Sequence, residues 1–96
     1  MNVSEVPPAA KYDVQITKQA EKTLLKLSDH DEAAIRKKID ALANDPRPHG
    51  VKKLKGQDDL HRIRVGNFRV IYAIRDAELV VLVVRVADRK DAYWDT

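Results

Sequence analysis

The chain has 96 residues, 18 of them Lys or Arg and 15 Asp or Glu, for a formal charge of +3, and it contains no cysteine. That length supports one domain able to bury roughly two-thirds of its unfolded surface, and the missing cysteines exclude a disulfide scaffold, a thiol nucleophile and the usual structural zinc sites. The longest apolar run, Leu79 to Val84, is too short to span a bilayer and no signal peptide opens the chain, so no membrane role and a reducing cytoplasm are expected.

Pro7-Pro8 and the lack of any periodicity mark an extended leader over residues 1–11, ahead of a domain over 12–96. Tyr12-Asp-Val-Gln-Ile16 alternates and reads as a short strand. Thr17 is placed to cap a helix running to about Leu27, with Ala20, Leu24 and Leu27 as its apolar stripe. Ser28, followed three residues later by Asp31, resembles a capping box with the acid one carbon short. The helix it starts carries Ile35, Ile39 and Leu42 and must stop before Pro46. The two helices form a hairpin. A loop is expected from Asp45 through Lys53-Leu-Lys-Gly56 to Asp59.

Three strands follow, at about 60–65, 68–75 and 78–86. Gly66-Asn67 sits between two alternating runs and predicts a two-residue β-turn. Closing it pairs Val65 with Phe68, Arg64 with Arg69 and Ile63 with Val70. Asp76-Ala77 supplies the next turn, with Arg75 facing Glu78. One sheet face then carries Ile63, Val65, Phe68, Val70, Tyr72, Ile74, Leu79, Val81 and Val83, a core for both helices. The fold class is therefore α+β: an N-terminal strand, a helical hairpin, then an antiparallel three-stranded meander with the helices on one face.

The opposite face concentrates the charge. Arg62, Arg64 and Arg69 cluster at one end, while Ile71, Ala73, Val80, Leu82 and Val84 are expected to be exposed beside them. Like charges in a cross-strand pair destabilise a sheet, so the opposed Arg64 and Arg69 point to an anion. Guanidinium presents a planar fork of donors that matches phosphate. Lys52, Lys53 and Lys55 read as loop charges that hold phosphates nonspecifically. His61 falls on the apolar face, where a lone histidine is more often packed than catalytic. His30, His49 and His61 lack metal-ligand spacing, so no metal or cofactor is expected. Tyr93 and Trp94 lie beyond the last strand and suit either capping the core or stacking on a base.

Lys53-Leu-Lys-Gly56, the run Leu60-His-Arg-Ile-Arg-Val-Gly-Asn-Phe-Arg-Val-Ile-Tyr72 and the run Leu82-Val-Val-Arg-Val-Ala-Asp-Arg-Lys-Asp-Ala-Tyr93, in this order and at these separations, resemble the RelE/ParE toxin superfamily of bacterial toxin–antitoxin modules. In its RelE branch the resemblance implies a ribosome-dependent endoribonuclease that cuts mRNA codons in the A site and so inhibits translation. It assigns Arg62 and Arg64 as the functional basic residues on the strand before the turn, and Arg69 as the group on the scissile phosphate. It places Arg89 at the leaving oxygen and Tyr93 against the nucleotide. Cleavage by the RNA's own 2′-OH builds charge on a pentavalent phosphate, which fixed guanidinium groups stabilise, and an aromatic ring holds a base by stacking.

Many relatives carry Gly-His where this chain has Ala87-Asp88, and the lysines of the best-known branch are arginines here. Arginine stays protonated, so Arg62 and Arg64 are poor general bases. Either the ribosome and substrate geometry supply most of the catalysis, or Asp88, Asp91 or His61 is the base. The resemblance further implies a cognate RelB-like antitoxin over the same surface. The chain shows no DNA-reading motif, so operator DNA is expected to be bound only through that antitoxin. A ParE-like gyrase inhibitor, and a non-catalytic RNA-binding module on the same fold, are the alternatives.

Overall fold

The computed structural model describes residues 11–56 and 59–89; the first ten residues of the expected leader lie outside them. Strand β1 (Asp13–Ile16) leads into helices α1 (Lys18–Leu25) and α2 (Asp29–Ala41). Both caps form as the residue types dictate: the Thr17 hydroxyl accepts from the Ala20 amide, and Ser28 from the Asp31 amide, each at 3.2 Å. Asp29, Asp31 and Glu32 in the first turn of α2 complement its dipole. Arg36 joins the helices, reaching Glu21 at 2.7 Å and Glu32 at 2.9 Å. Ala20, Leu24, Ile35, Ile39 and Leu42 are buried, as their 3.6-residue spacing requires.

The sheet is larger and less uniform than a three-stranded meander. It has five strands in the order β1-β5-β4-β3-β2. The additions are β1, parallel to β5 (Val80–Asp88), and β2 (Lys52–Lys53), a two-residue antiparallel edge on β3 (Leu60–Val65). Lys52-Lys53 was expected as loop; two exposed lysines carry no burial pattern, so nothing but the pairing marks them as strand. The β3–β4 hairpin has the anticipated register, Val65 on Phe68, Arg64 on Arg69 and Ile63 on Val70, with β4 at Phe68–Arg75. Gly66 takes φ +59, a conformation that glycine adopts without a steric penalty.

The second turn departs from expectation. A short 3-10 turn over Asp76–Glu78 and a left-handed Leu79 (φ 56) lengthen it, so Arg75 pairs with Val80 and not Glu78. The two-residue shift preserves face parity, so Val81 and Val83 still reach the core, but Leu79 is 40% exposed and not part of it. Further along, Ile71 pairs with Arg85 while Tyr72 pairs with Val83, which leaves Val84 as the extra residue of a β-bulge. From there to the end of β5 the alternation is inverted relative to a regular strand. Val86 packs into the core, and Arg85 and Ala87 move to the helix-free face.

Candidate functional site

The helix-free face is built by β2 to β5. Arg64 stands directly opposite Arg69, and Arg69 opposite Ala87 on β5. Two residues along, Lys52 pairs with Arg62, Arg62 with Ile71, and Ile71 with Arg85. Four arginines therefore share one end of one face. Arg62, Arg69 and Arg85 are half-buried, with Nε atoms shielded from solvent, and Arg64 is exposed. A charge in such a partly dry setting acts more strongly on an anion than one in open water.

The apolar part of this face differs from the expected greasy patch. Ile71 is 1% and Ala73 3% exposed, and Val80, Leu82 and Val84 are half-buried. Ile71 lies between Arg62 and Arg85 in the register, and arginine stems are long enough to cover an apolar neighbour. The face is thus a basic site on a dry floor.

Arg89 follows the end of β5 and is exposed. Its backbone N–H donates to the Asn67 carbonyl at 2.7 Å, which fixes this residue beside the tip of the β3–β4 turn and close to the Arg64–Arg69 pair. Among the possible bases, Asp88 pairs with Phe68 at the end of β5, which puts it in the register on the helix side with Val86 and Phe68 and not with the arginines. His61 pairs with Tyr72, stacks on its ring at 6.0 Å and is 8% exposed, on the helix side of the sheet. Burial, the largest influence, pushes its pKa down. The sheet separates it from the arginines. Asp91 and Tyr93 lie outside the described residues. Lys52 borders Arg62, whereas Lys53 pairs with His61 and Lys55 sits in the following turn; all three are exposed. Among the described residues no group of three His, Asp or Glu side chains could hold a metal ion, and no helix is long and apolar enough to cross a membrane.

Arg85 is the arginine of this face that sequence reading missed. Regular alternation from Val81 and Val83 puts it in the core, and only the bulge at Val84 turns it outward. A positive charge at an inward position was the one signal that could have exposed the irregularity.

A lattice of hydrogen bonds holds the loop after α2 under the sheet. Tyr72 Oη, fully buried, donates to the Pro46 carbonyl at 2.7 Å. Asp76 accepts from Arg47 at 2.9 Å and from Tyr12 at 2.6 Å, and those donors, Arg47 first, hold its carboxyl down at about 2.

The family described as "ParE toxin of type II toxin-antitoxin system, parDE" matches residues 14–93. The chain is 32% identical over 83 residues to "Toxin RelE" of Mycobacterium tuberculosis, covering 85% of this chain and 86% of that one. Its fold is similar to RelE in the archaeal RelE–RelB complex of Pyrococcus horikoshii, with TM-score 0.76, 32% identity and coverage of 85% and 99% of the two chains. It is also similar to a chain of the intact E. coli RelBE toxin–antitoxin complex, with TM-score 0.71, 26% identity and coverage of 80% and 95%. With the family match over residues 14–93, and likeness to "Toxin RelE" over 85% of its length, the chain belongs to the RelE/ParE superfamily of type II toxin–antitoxin toxins.

Proposed function

We propose that this toxin is a ribosome-dependent mRNA endoribonuclease whose site is the arginine face of the sheet. The observation that carries the reading is the cross-strand pair Arg64–Arg69. Two guanidinium groups held opposite each other concentrate positive charge and planar donors at one end of the face, and a phosphate at the pentavalent stage carries the greatest charge for them to act on. The 2′-oxygen bonds to phosphorus as the bond to the 5′-oxygen breaks. Arg69 and Arg64 stabilise the charge that develops, Arg62 holds the strand, and Arg89 serves the departing oxygen. Because they stay protonated, these arginines act by electrostatics and position. The 2′-OH proton passes to Asp91, or departs through substrate geometry imposed by the ribosome. Tyr93 stacks on a base.

The partner that this reading requires is a RelB-like antitoxin, the partner of RelE in the Pyrococcus and E. coli complexes. A groove of about 400 Å³ beside Arg64 supports it: Leu42, Pro48 and Ile63 line it, with Lys38 and Arg64 outnumbering the single carboxylate, Asp45. Apolar lining and basic charge suit an amphipathic acidic segment that folds as it binds.

The match to a family described by ParE favours a second reading, a gyrase inhibitor on the same fold. Induced expression separates the two. Breaks within codons of translated mRNA, mapped by primer extension, support the nuclease; DNA breaks with an SOS response and intact mRNA support the gyrase inhibitor.

A further inference from the structure

The bulge at Val84 gives the arginine face a second anion position. Without the extra residue Arg85 would point into the core; with it, Arg85 pairs with Ile71 and shares a row with Arg62. Bulges concentrate beside functional sites, where they re-aim a side chain. The carbonyls at this one are held in place: Thr17, the cap of α1, donates its amide to the Val83 carbonyl at 2.9 Å and its hydroxyl to the Val84 carbonyl at 3.3 Å. The row Arg62–Ile71–Arg85 lies two residues along the strands from the row Arg64–Arg69, or ~7 Å at the rise of a β-strand. Arg62 and Arg85 flank the 1% exposed Ile71, and the Nε atoms of both are shielded from solvent. Two rows of guanidinium groups, offset along one face, match two successive phosphates of one nucleic-acid strand better than a single anion.

We infer that Arg85 is a substrate-binding residue that grips, with Arg62, the phosphate next to the one held by Arg64 and Arg69. The inference rests on the nuclease reading for the identity of the strand, single-stranded RNA, and goes beyond it in assigning Arg85 and a second phosphate position. Arg85 sets the register of the RNA and does not touch the bond being broken.

The test uses the full chain as wild type, Arg85→Ala, Arg85→Lys and Arg85→Gln. Its first probe is a short fluorescent oligoribonucleotide blocked by 2′-O-methylation so that it cannot be cut. Loss of one charged phosphate contact predicts ~10-fold weaker binding for Arg85→Ala and a salt dependence shallower by about 0.7 on logarithmic axes; Arg85→Lys restores the slope. On programmed ribosomes the concentration for half-maximal cleavage rises by a similar factor while the saturating rate stays within about threefold. Arg85→Gln, which keeps most of the stem, carries the same comparison if Arg85→Ala lowers the melting temperature severely. Unchanged affinity and salt slope, with only a lower melting temperature, make Arg85 a packing residue and overturn the inference. A lost saturating rate with unchanged half-saturation also overturns it. If the wild type never cuts mRNA yet the oligonucleotide binding and its Arg85 dependence are as expected, the nuclease reading falls and the second phosphate position stands.

Discussion

The Thr17 hydroxyl donates to the carbonyl of Val84 at 3.3 Å and accepts from the Ala20 amide at 3.2 Å. One side chain therefore caps α1 and holds the bulge of β5, 67 residues away in sequence. The bulge decides which face Arg85 occupies, so the start of the helical hairpin is coupled to the basic face across the sheet.

Thr17→Val keeps the shape and removes the hydroxyl. A lost cap costs ~1 kcal/mol, and the bulge carbonyl loses a donor, so thermal melting should fall by about 4–8 °C for each kcal/mol. Thr17→Ser should recover most of it. A Thr17→Val protein that melts with the wild type removes the coupling.

Tyr72 joins the centre of the sheet to the loop after α2 through its bond to the Pro46 carbonyl. Tyr72→Phe leaves that carbonyl without its partner at a buried position, a loss of about 1–3 kcal/mol. Chemical denaturation measures it: the midpoint should fall with little change in slope.

Stability should fall with pH in two separate windows. Burial lowers the folded pKa of His61 below its ordinary value of 6.5, so the unfolded chain binds the proton first. Its contribution is complete above that value and is lost as pH falls through it toward the lower folded value. Asp76, lowered from 3.8 to about 2 chiefly by Arg47 and then Tyr12, contributes above pH 4, and that part disappears between there and about 2. His61→Phe should flatten the upper window and Asp76→Asn the lower, read as denaturation midpoints against pH.

Legibility in the sequence followed periodicity. The stripes Ala20–Leu24 and Ile35–Ile39–Leu42, the caps Thr17 and Ser28, and the Gly66-Asn67 turn each repeat a local rule, and the structure has them in place. The pair Arg64–Arg69 followed from the turn alone. What stayed hidden was set by tertiary pairing. Lys52-Lys53 becomes a strand only because β3 offers an edge. Leu79 leaves the core because the turn takes a left-handed residue that asparagine or glycine usually supplies. Arg85 changes face at a bulge that depends on Thr17, far away in the chain. Ile71 looked exposed because alternation gives a face, and not what lies over it.

The described sheet is complete at Arg89, whose amide is tied to Asn67. A chain ending there should keep a folded five-stranded sheet, with unchanged far-ultraviolet circular dichroism, and lose cleavage because Asp91 and Tyr93 are gone. Full cleavage by that truncated protein would remove both residues from the mechanism.

Arg69→Ala tests the central claim most directly. Arg69 lies on the face away from the helices and outside the hydrophobic core, so the variant should still fold, while losing a charge at the transition state lowers the cleavage rate by ~100- to 1,000-fold. The measurement is single-turnover cutting of ribosome-bound mRNA by the folded variant beside the wild type. A rate lower by that factor, in a variant that still melts cooperatively, is the predicted result; wild-type cutting by a folded Arg69→Ala protein would contradict a nuclease site on the arginine face.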